Sequence, residues 1–310
     1  MERRMDENTR VILLMAGLPR TAKVIEIGPS LRPLAPKRDG WNVTIVDHTT
    51  RAGLIAKYHG DPAVDPDVIE EVDLVWQGGA LTDLVGEASW GTYDAFIASH
   101  VIEHTTDLVA FLRSARVLLK DEGVVILALP DKRKCFDVFR PVSTTGDVLE
   151  AFLQKRDRHT IRTHFDFCMY HAKRNDNPGW HLGEQGAPVM PYRIRDGLVV
   201  ATFADRAEYV DAHAWTFTPS SFELMILELR AMGVLSLSIE RTEQAYYTEF
   251  FAWLRPCEEI EDDETVHGYR RGLLERVALE QAEIARQIAG SPLNSLDTLK
   301  AGLQELLQKI

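Results

Sequence analysis

Between Lys23 and Pro130 the chain alternates short apolar runs with stretches of helical spacing. KVIEIG, WNVTIVDH, VDLVWQGG, YDAFIASH and GVVILALP are compact runs bounded by Gly, Pro or polar positions, the mark of buried strands. Between the fourth and the fifth, HTTDLVAFLRSARVLLK sets Leu108, Phe111, Leu112, Ala115 and Leu118 at helical spacing, with Thr105 or Thr106 as the expected cap. Buried strands alternating with helices imply a mainly parallel sheet covered on both faces.

The pattern lapses over 131–212, a segment rich in His, Arg, Asp and aromatics with no strong period, which reads as an inserted cap over a binding site. It resumes at Pro219. SSFELMILELRAMG predicts a helix capped by Thr218 or Ser220 and closed by Gly233, and LSLSIER and YYTEFFAWLRP predict an antiparallel edge hairpin. After the acidic EEIEDDE, helical stretches are expected around 264–289 and 295–309. The predicted fold is α/β: a doubly wound, mainly parallel seven-stranded sheet with an antiparallel edge hairpin, an inserted cap and a C-terminal helical extension. The segments are 1–22 (N-terminal helix), 23–130 (core, first part), 131–212 (cap), 213–256 (core completion) and 257–310 (extension and possible homodimer contact).

Composition narrows the partners. With 45% hydrophobic residues and 26% charged ones the chain can bury a core, and its net charge of −12 opposes a nucleic-acid backbone. Cys135, Cys168 and Cys257 are widely separated and form no C-x-x-C, which suits a reducing cytoplasm. The apolar run Val11–Leu18 follows acidic residues and is expected to be a packed helix; no stretch has the ~20 apolar residues of a membrane span.

The chemistry is concentrated in VIEIGPSLRPLAPKRDGWNVTIVDH. A strand ends in Glu26-Ile27-Gly28, and the next ends in Asp47, ~20 residues on, where an acidic side chain meets ribose hydroxyls in nucleotide-binding α/β folds. A dinucleotide loop would read G-x-G-x-x-G. Here the positions are Gly28, Ser30 and Pro33, and Pro29, Pro33 and Pro36 delay the next helix, a poor cradle for pyrophosphate. A ribosyl ligand without phosphate tolerates such a loop.

With YDAFIASHVIEHTTDLVAFLRSARVLLKDEGVVILALPD and HAWTFTPSSFELMILELRAMGVLSLSIERTEQ, the stretch resembles the class I S-adenosylmethionine-dependent methyltransferases of the small-molecule type. The resemblance covers roughly two thirds of the chain, weakens in 131–212 and ends at Pro256. It implies S-adenosylmethionine as cofactor, S-adenosylhomocysteine as product, and a small polar acceptor, sugar-like or natural-product-like, methylated on O or N. Glu26, Gly28, Pro29 and Ser30 would line the methionine part, Asp47 would take the ribose, and His48 would lie beside the adenine. Gly79 and Ala80 would form the adenine edge, while Ser99 and His100 would flank the sulfonium. The chain departs from the pattern in having one glycine in the first loop and Gly79 where relatives often carry an acid.

His104 and His213 are the candidates for a general base, since imidazole titrates near working pH. Asp131, Arg133 and His164 are the candidate acceptor contacts, with a solvated charge run as the plain reading of Asp131–Lys134. His100, Glu103 and His104 stand at metal-ligand spacing, yet a cofactor-side loop explains them and no metal is expected. The competing readings are an NAD(P)-dependent oxidoreductase and a non-catalytic cofactor- or protein-binding member of the fold.

Overall fold

Seven strands form one sheet: β1 (Lys23–Ile27), β2 (Asn42–Asp47), β3 (Leu74–Val75), β4 (Tyr93–Ser99), β5 (Leu119–Pro130), β6 (Leu237–Gln244) and β7 (Glu249–Pro256). Their order is β3-β2-β1-β4-β5-β7-β6, parallel from β3 to β5 and antiparallel in the β5–β7 and β7–β6 pairs. The predicted parallel sheet and edge hairpin are therefore both present. The computed structural model describes residues 7–288, apart from 63, 183, 185–186, 246 and 260–261.

The strands are apolar on both faces because both are covered. Ile25, Ile27, Phe96, Ala98, Val125 and Leu127 face one core, and the alternate Val24, Ala95, Ile97, Val124 and Ile126 face the other. The helices are α1 (Glu7–Leu14), α2 (Arg51–Lys57), α3 (Leu81–Val85), α4 (Leu108–Leu118), α5 (Thr145–Leu153), α6 (Ile161–Met169), α7 (Gly197–Ala201), α8 (Pro219–Ala231) and α9 (Asp263–Gln287). Leu108 and Leu112 of α4 and Phe222, Ile226 and Leu229 of α8 fill the first core, while Leu14 of α1 fills the second. No helix among the described residues is long and apolar enough to cross a membrane.

Local chemistry sets the helix ends, in one case against expectation. The cap of α4 is Asp107, whose carboxylate accepts the Ala110 N–H at 2.8 Å; Thr105 instead donates its hydroxyl to the Ile102 carbonyl within a tight turn. α8 begins at Thr218, whose N–H is accepted by Ser221 Oγ, and is closed by Gly233 at φ +68°. Ser220 turns its hydroxyl to Glu280 of α9. Among its described residues the segment 131–212 holds three α-helices, α5 to α7, of which α5 opens on a reciprocal Thr144–Asp147 capping box.

α9 lies along α8, burying Val266, Leu273 and Val277. The buried positions of α9 are thus spent on its own domain. The stretch expected around 295–309 falls outside the described residues.

Candidate active site

The strand order turns back between β1 and β4, so the loops leaving these two neighbours open a crevice at their carboxyl ends, where α/β folds take their ligands. Gly28 follows β1 at φ +64°, and a Cβ there would stand 2.8 Å from Val101 Cγ2. Ser30 at φ +50° and His100 at φ +54° hold left-handed backbone on the two rims, uncommon for residues with a side chain.

Glu26 organises the first loop. It is buried, Oε1 accepts the Leu34 N–H at 2.7 Å and Oε2 accepts the Ala35 N–H at 3.1 Å. Burial pushes its carboxyl up to about 7 against the pull of those two amides. Asp47, also buried, accepts the Ser30 N–H on Oδ2 at 2.9 Å and the His48 N–H on Oδ1 at 2.7 Å, with His48 Nδ1 at 2.6 Å from the same oxygen. Ser30 Oγ reaches the Tyr58 hydroxyl at 2.9 Å.

The outer wall is open. Gly78 and Gly79 have positive φ with no atom near a notional Cβ, Trp76 Nε1 donates to the Gly79 carbonyl at 3.1 Å, and exposed Ala80 caps α3.

Little of this loop's backbone is left to cradle a pyrophosphate. The amides of Gly28, Ser30, Arg32, Leu34 and Ala35 are all bonded within the protein, and the three prolines have none to give. A carboxylate has about four acceptor positions, and Asp47 uses three, so a hydroxyl can still be received beside the half-exposed His48 ring.

Opposite, an ionic ladder runs across the end of the sheet. Arg10 of α1 grips Glu249 at 2.7 and 2.9 Å and donates to Ser99 Oγ at 2.7 Å; Glu249 holds His100 Nε2 at 2.8 Å; His100 Nδ1 stands 3.4 Å from Glu103. Burial pulls the His100 pKa down, but Glu103 and Glu249 outweigh it and lift it above the usual imidazole range.

Backbone pairing then brings distant residues together. Ala214 and Trp215 donate to the Glu103 carbonyl at 2.7 and 3.2 Å, and Lys132 N–H donates to Phe217 at 2.9 Å, so segment 213–217 threads between the loops after β4 and β5. His213 arrives with its ring 4.6 Å from that of His104 and 4.9 Å from that of Phe136, with Phe167 and His171 completing an aromatic wall. His213 Nδ1 lies 2.6 Å from Asp137 Oδ2, and Arg140 pairs with the other oxygen at 2.9 Å. Asp137 is buried, yet His213 and Arg140 hold its carboxyl well below the usual range. His104 Nδ1 lies 2.9 Å from Asp211 Oδ1, to which Tyr209 donates as well.

The family model described as "Methyltransferase domain" matches residues 1–174. The chain belongs to that methyltransferase family. The match bears out the resemblance to the S-adenosylmethionine-dependent enzymes, and the cofactor with it. No curated protein matches the methyltransferase. Among solved structures, the trans-methyltransferase CalH complexed with SAH is similar at 14% identity and TM-score 0.40, over 81% of this chain and 57% of that one. The methyltransferase thus spans little more than half the length of that relative. The structure of putative Zn-dependent alcohol dehydrogenases from Rhodobacter sphaeroides is similar at 13% identity and TM-score 0.45, over 82% of this chain and 91% of that one. The CcbJ methyltransferase from Streptomyces caelestis is similar at 12% identity and TM-score 0.42, over 83% and 97%.

The structure gathers Gly28, Ser30, Asp47, Ser99 and His100 at the crevice and His104 with His213 beside it. It turns Asp131 and Arg133 elsewhere. Asp131 has no exposure and is gripped by Arg133 at 2.6 Å, Arg133 reaches on to Glu283 of α9, and Lys132 and Lys134 are buried on backbone carbonyls. The charge run is therefore neither solvated nor aimed at an acceptor; it stitches the end of β5 to β7 and α9. His164 is buried inside the cap against His159, which reaches the site only through Tyr209. Asp137, Asp211, Glu249 and Arg10 are the site residues that sequence reasoning missed. Asp137 carried the only local signal, lying between the charge cluster and Arg140.

Proposed function

We propose that the methyltransferase moves a methyl group from S-adenosylmethionine to an oxygen or nitrogen nucleophile of a small polar acceptor, sugar-like or natural-product-like. The observation that carries this is the juxtaposition of two halves: a ribosyl crevice with no free phosphate cradle, and beside it two histidines each oriented by a carboxylate under an aromatic wall. When bound, the cofactor supplies a methyl group already activated by its sulfonium. What remains for the protein is alignment and help with the acceptor's proton.

The roles divide by position. Glu26 holds the loop in shape, Gly28, Pro29 and Ser30 line the methionine part, and Asp47 takes the ribose. His48, Gly79 and Ala80 border the adenine, and Ser99 and His100 flank the sulfonium, with His100 fixed by Glu249. His104 and His213 activate the acceptor through Nε2, since Nδ1 of each is committed to a carboxylate. A cytoplasmic location is supported by three free cysteines, and a homodimer through α9 by the exposure of Tyr269, Leu274 and Leu279.

Isothermal titration against S-adenosylhomocysteine and NADH tests the cofactor. S-adenosylhomocysteine is expected to bind and Asp47→Ala to weaken it by ~1.5–3 kcal/mol; NADH binding without it would overturn the reading. Mass detection of methylated product across an acceptor panel separates an enzyme from a binding member.

A further inference from the structure

Glu103, His104 and His213 place one ligand-capable atom each within 4.8 Å of one another. Ring packing against Phe136 and Phe167 accounts for His213, but nothing of that kind accounts for Glu103. Its side chain has no exposure and neither carboxylate oxygen has a hydrogen bond; the nearest ring nitrogens, His100 Nδ1 and His104 Nε2, stand at 3.4 and 3.9 Å from Oε1. A buried carboxylate so poorly partnered is a costly group, and it faces two imidazoles.

Those imidazoles are set up as ligands. Asp211 and Asp137 are acceptors only, so Nδ1 of His104 and of His213 carries a proton, and in the neutral ring Nε2 presents its lone pair. A carboxylate behind the far nitrogen is the usual way a metal-binding imidazole is oriented and made more basic. Around the cluster, the carboxylates of Glu103, Asp137 and Asp211 face one guanidinium, Arg140, and the His100 ring.

We propose that Glu103, His104 and His213 bind a divalent first-row transition ion of the Zn²⁺, Co²⁺ or Mn²⁺ kind. Two nitrogens and one carboxylate favour such ions over Mg²⁺ and Ca²⁺, which prefer oxygen, and three protein ligands leave positions open for an acceptor. The inference rests on the acceptor-side placement given to these histidines; with each Nε2 on the ion they act through it and not as bases, which narrows the acceptor to a hydroxyl. A hydroxyl coordinated there would release its proton to solvent more readily, the O–H electron pair staying on oxygen; as the O–CH3 bond forms, the S–CH3 bond breaks and its pair leaves on the sulfur of S-adenosylhomocysteine.

The test is Co²⁺ titration of the chelator-treated full chain, followed by visible absorption, with Zn²⁺ as competitor. One ion per chain is expected. Glu103→Gln and His213→Ala should each weaken it by more than ~100-fold, and Asp137→Asn and Asp211→Asn by ~10–100-fold. The exposed controls His59→Ala and His267→Ala should leave it unchanged. S-adenosylhomocysteine affinity, measured on every variant, reports folding independently; if Glu103→Gln does not fold, Asp211→Asn, on an exposed side chain, decides. Normal S-adenosylhomocysteine binding with no ion bound, or ion binding lost equally in the surface controls, would overturn the metal site while leaving the methyl-transfer reading. An ion bound without S-adenosylhomocysteine would do the reverse.

Discussion

Single residues at the crevice answer to steric and charge constraints that can be tested one at a time. At Gly28 the backbone is left-handed and a Cβ would meet Val101 Cγ2 at 2.8 Å. Gly28→Ala should therefore cost about 1–2 kcal/mol in urea unfolding and weaken S-adenosylhomocysteine binding; unchanged stability would mean the loop is not held as described. Asp137 does different work, since it touches neither crevice rim but fixes His213 and Arg140. Asp137→Asn should lower kcat by ~100-fold while leaving the S-adenosylhomocysteine Kd unchanged, a split that a merely structural role would not give. The first residue was legible in the sequence because Gly28 and Asp47 share a short strand–turn–strand spacing. The second was not, because its partner lies 76 positions away and no local period records that meeting.

At the scale of elements, the loop from Gly28 to Ala35 is held by a carboxyl with a displaced pKa. Folded Glu26 ionises near 7 and the unfolded residue near 4.5. The folded state therefore keeps a proton that the unfolded chain has lost, and stability falls as pH rises from about 4.5 to about 7. In Glu26→Gln the fall of Tm over that window should be shallower than in the native protein, and parallel curves would reject the displaced pKa. Helix α4 supplies a second case. Apolar spacing located it, but its first turn is set by Asp107, one residue beyond the threonines that the sequence suggested, because the Ile102–His104 turn uses Thr105 internally. Asp107→Ala should cost about 1 kcal/mol in thermal or urea unfolding.

For the molecule as a whole, α9 packs along α8 and reaches the turn after β5 through Glu283. Leu273→Asp or Val277→Asp would leave a carboxylate among α8 side chains and should destabilise the fold by about 2–3 kcal/mol, seen as a lower Tm, without changing S-adenosylhomocysteine affinity. A change in affinity as large as the change in stability would show that the extension reaches the site. The Asp131–Arg133–Glu283 chain, buried at its first two members, gives the same logic from the other end: a run of four charges just after β5 is used as internal fastening because three elements converge there.

The sequence by itself determined the sheet, its two covered faces, the edge hairpin and the place of Asp47 at the end of the second strand, because each is written in the period of side chains along one strand or in the spacing across one turn. Only the tertiary structure decided which polar residues face the crevice. It buried Asp131 and Arg133 against each other, and it carried His213 and Asp137 to the side of Glu103. Those outcomes depend on how loops from β4 and β5 pair with a segment far along the chain, and burial assigns partners to charges without regard to their order in sequence.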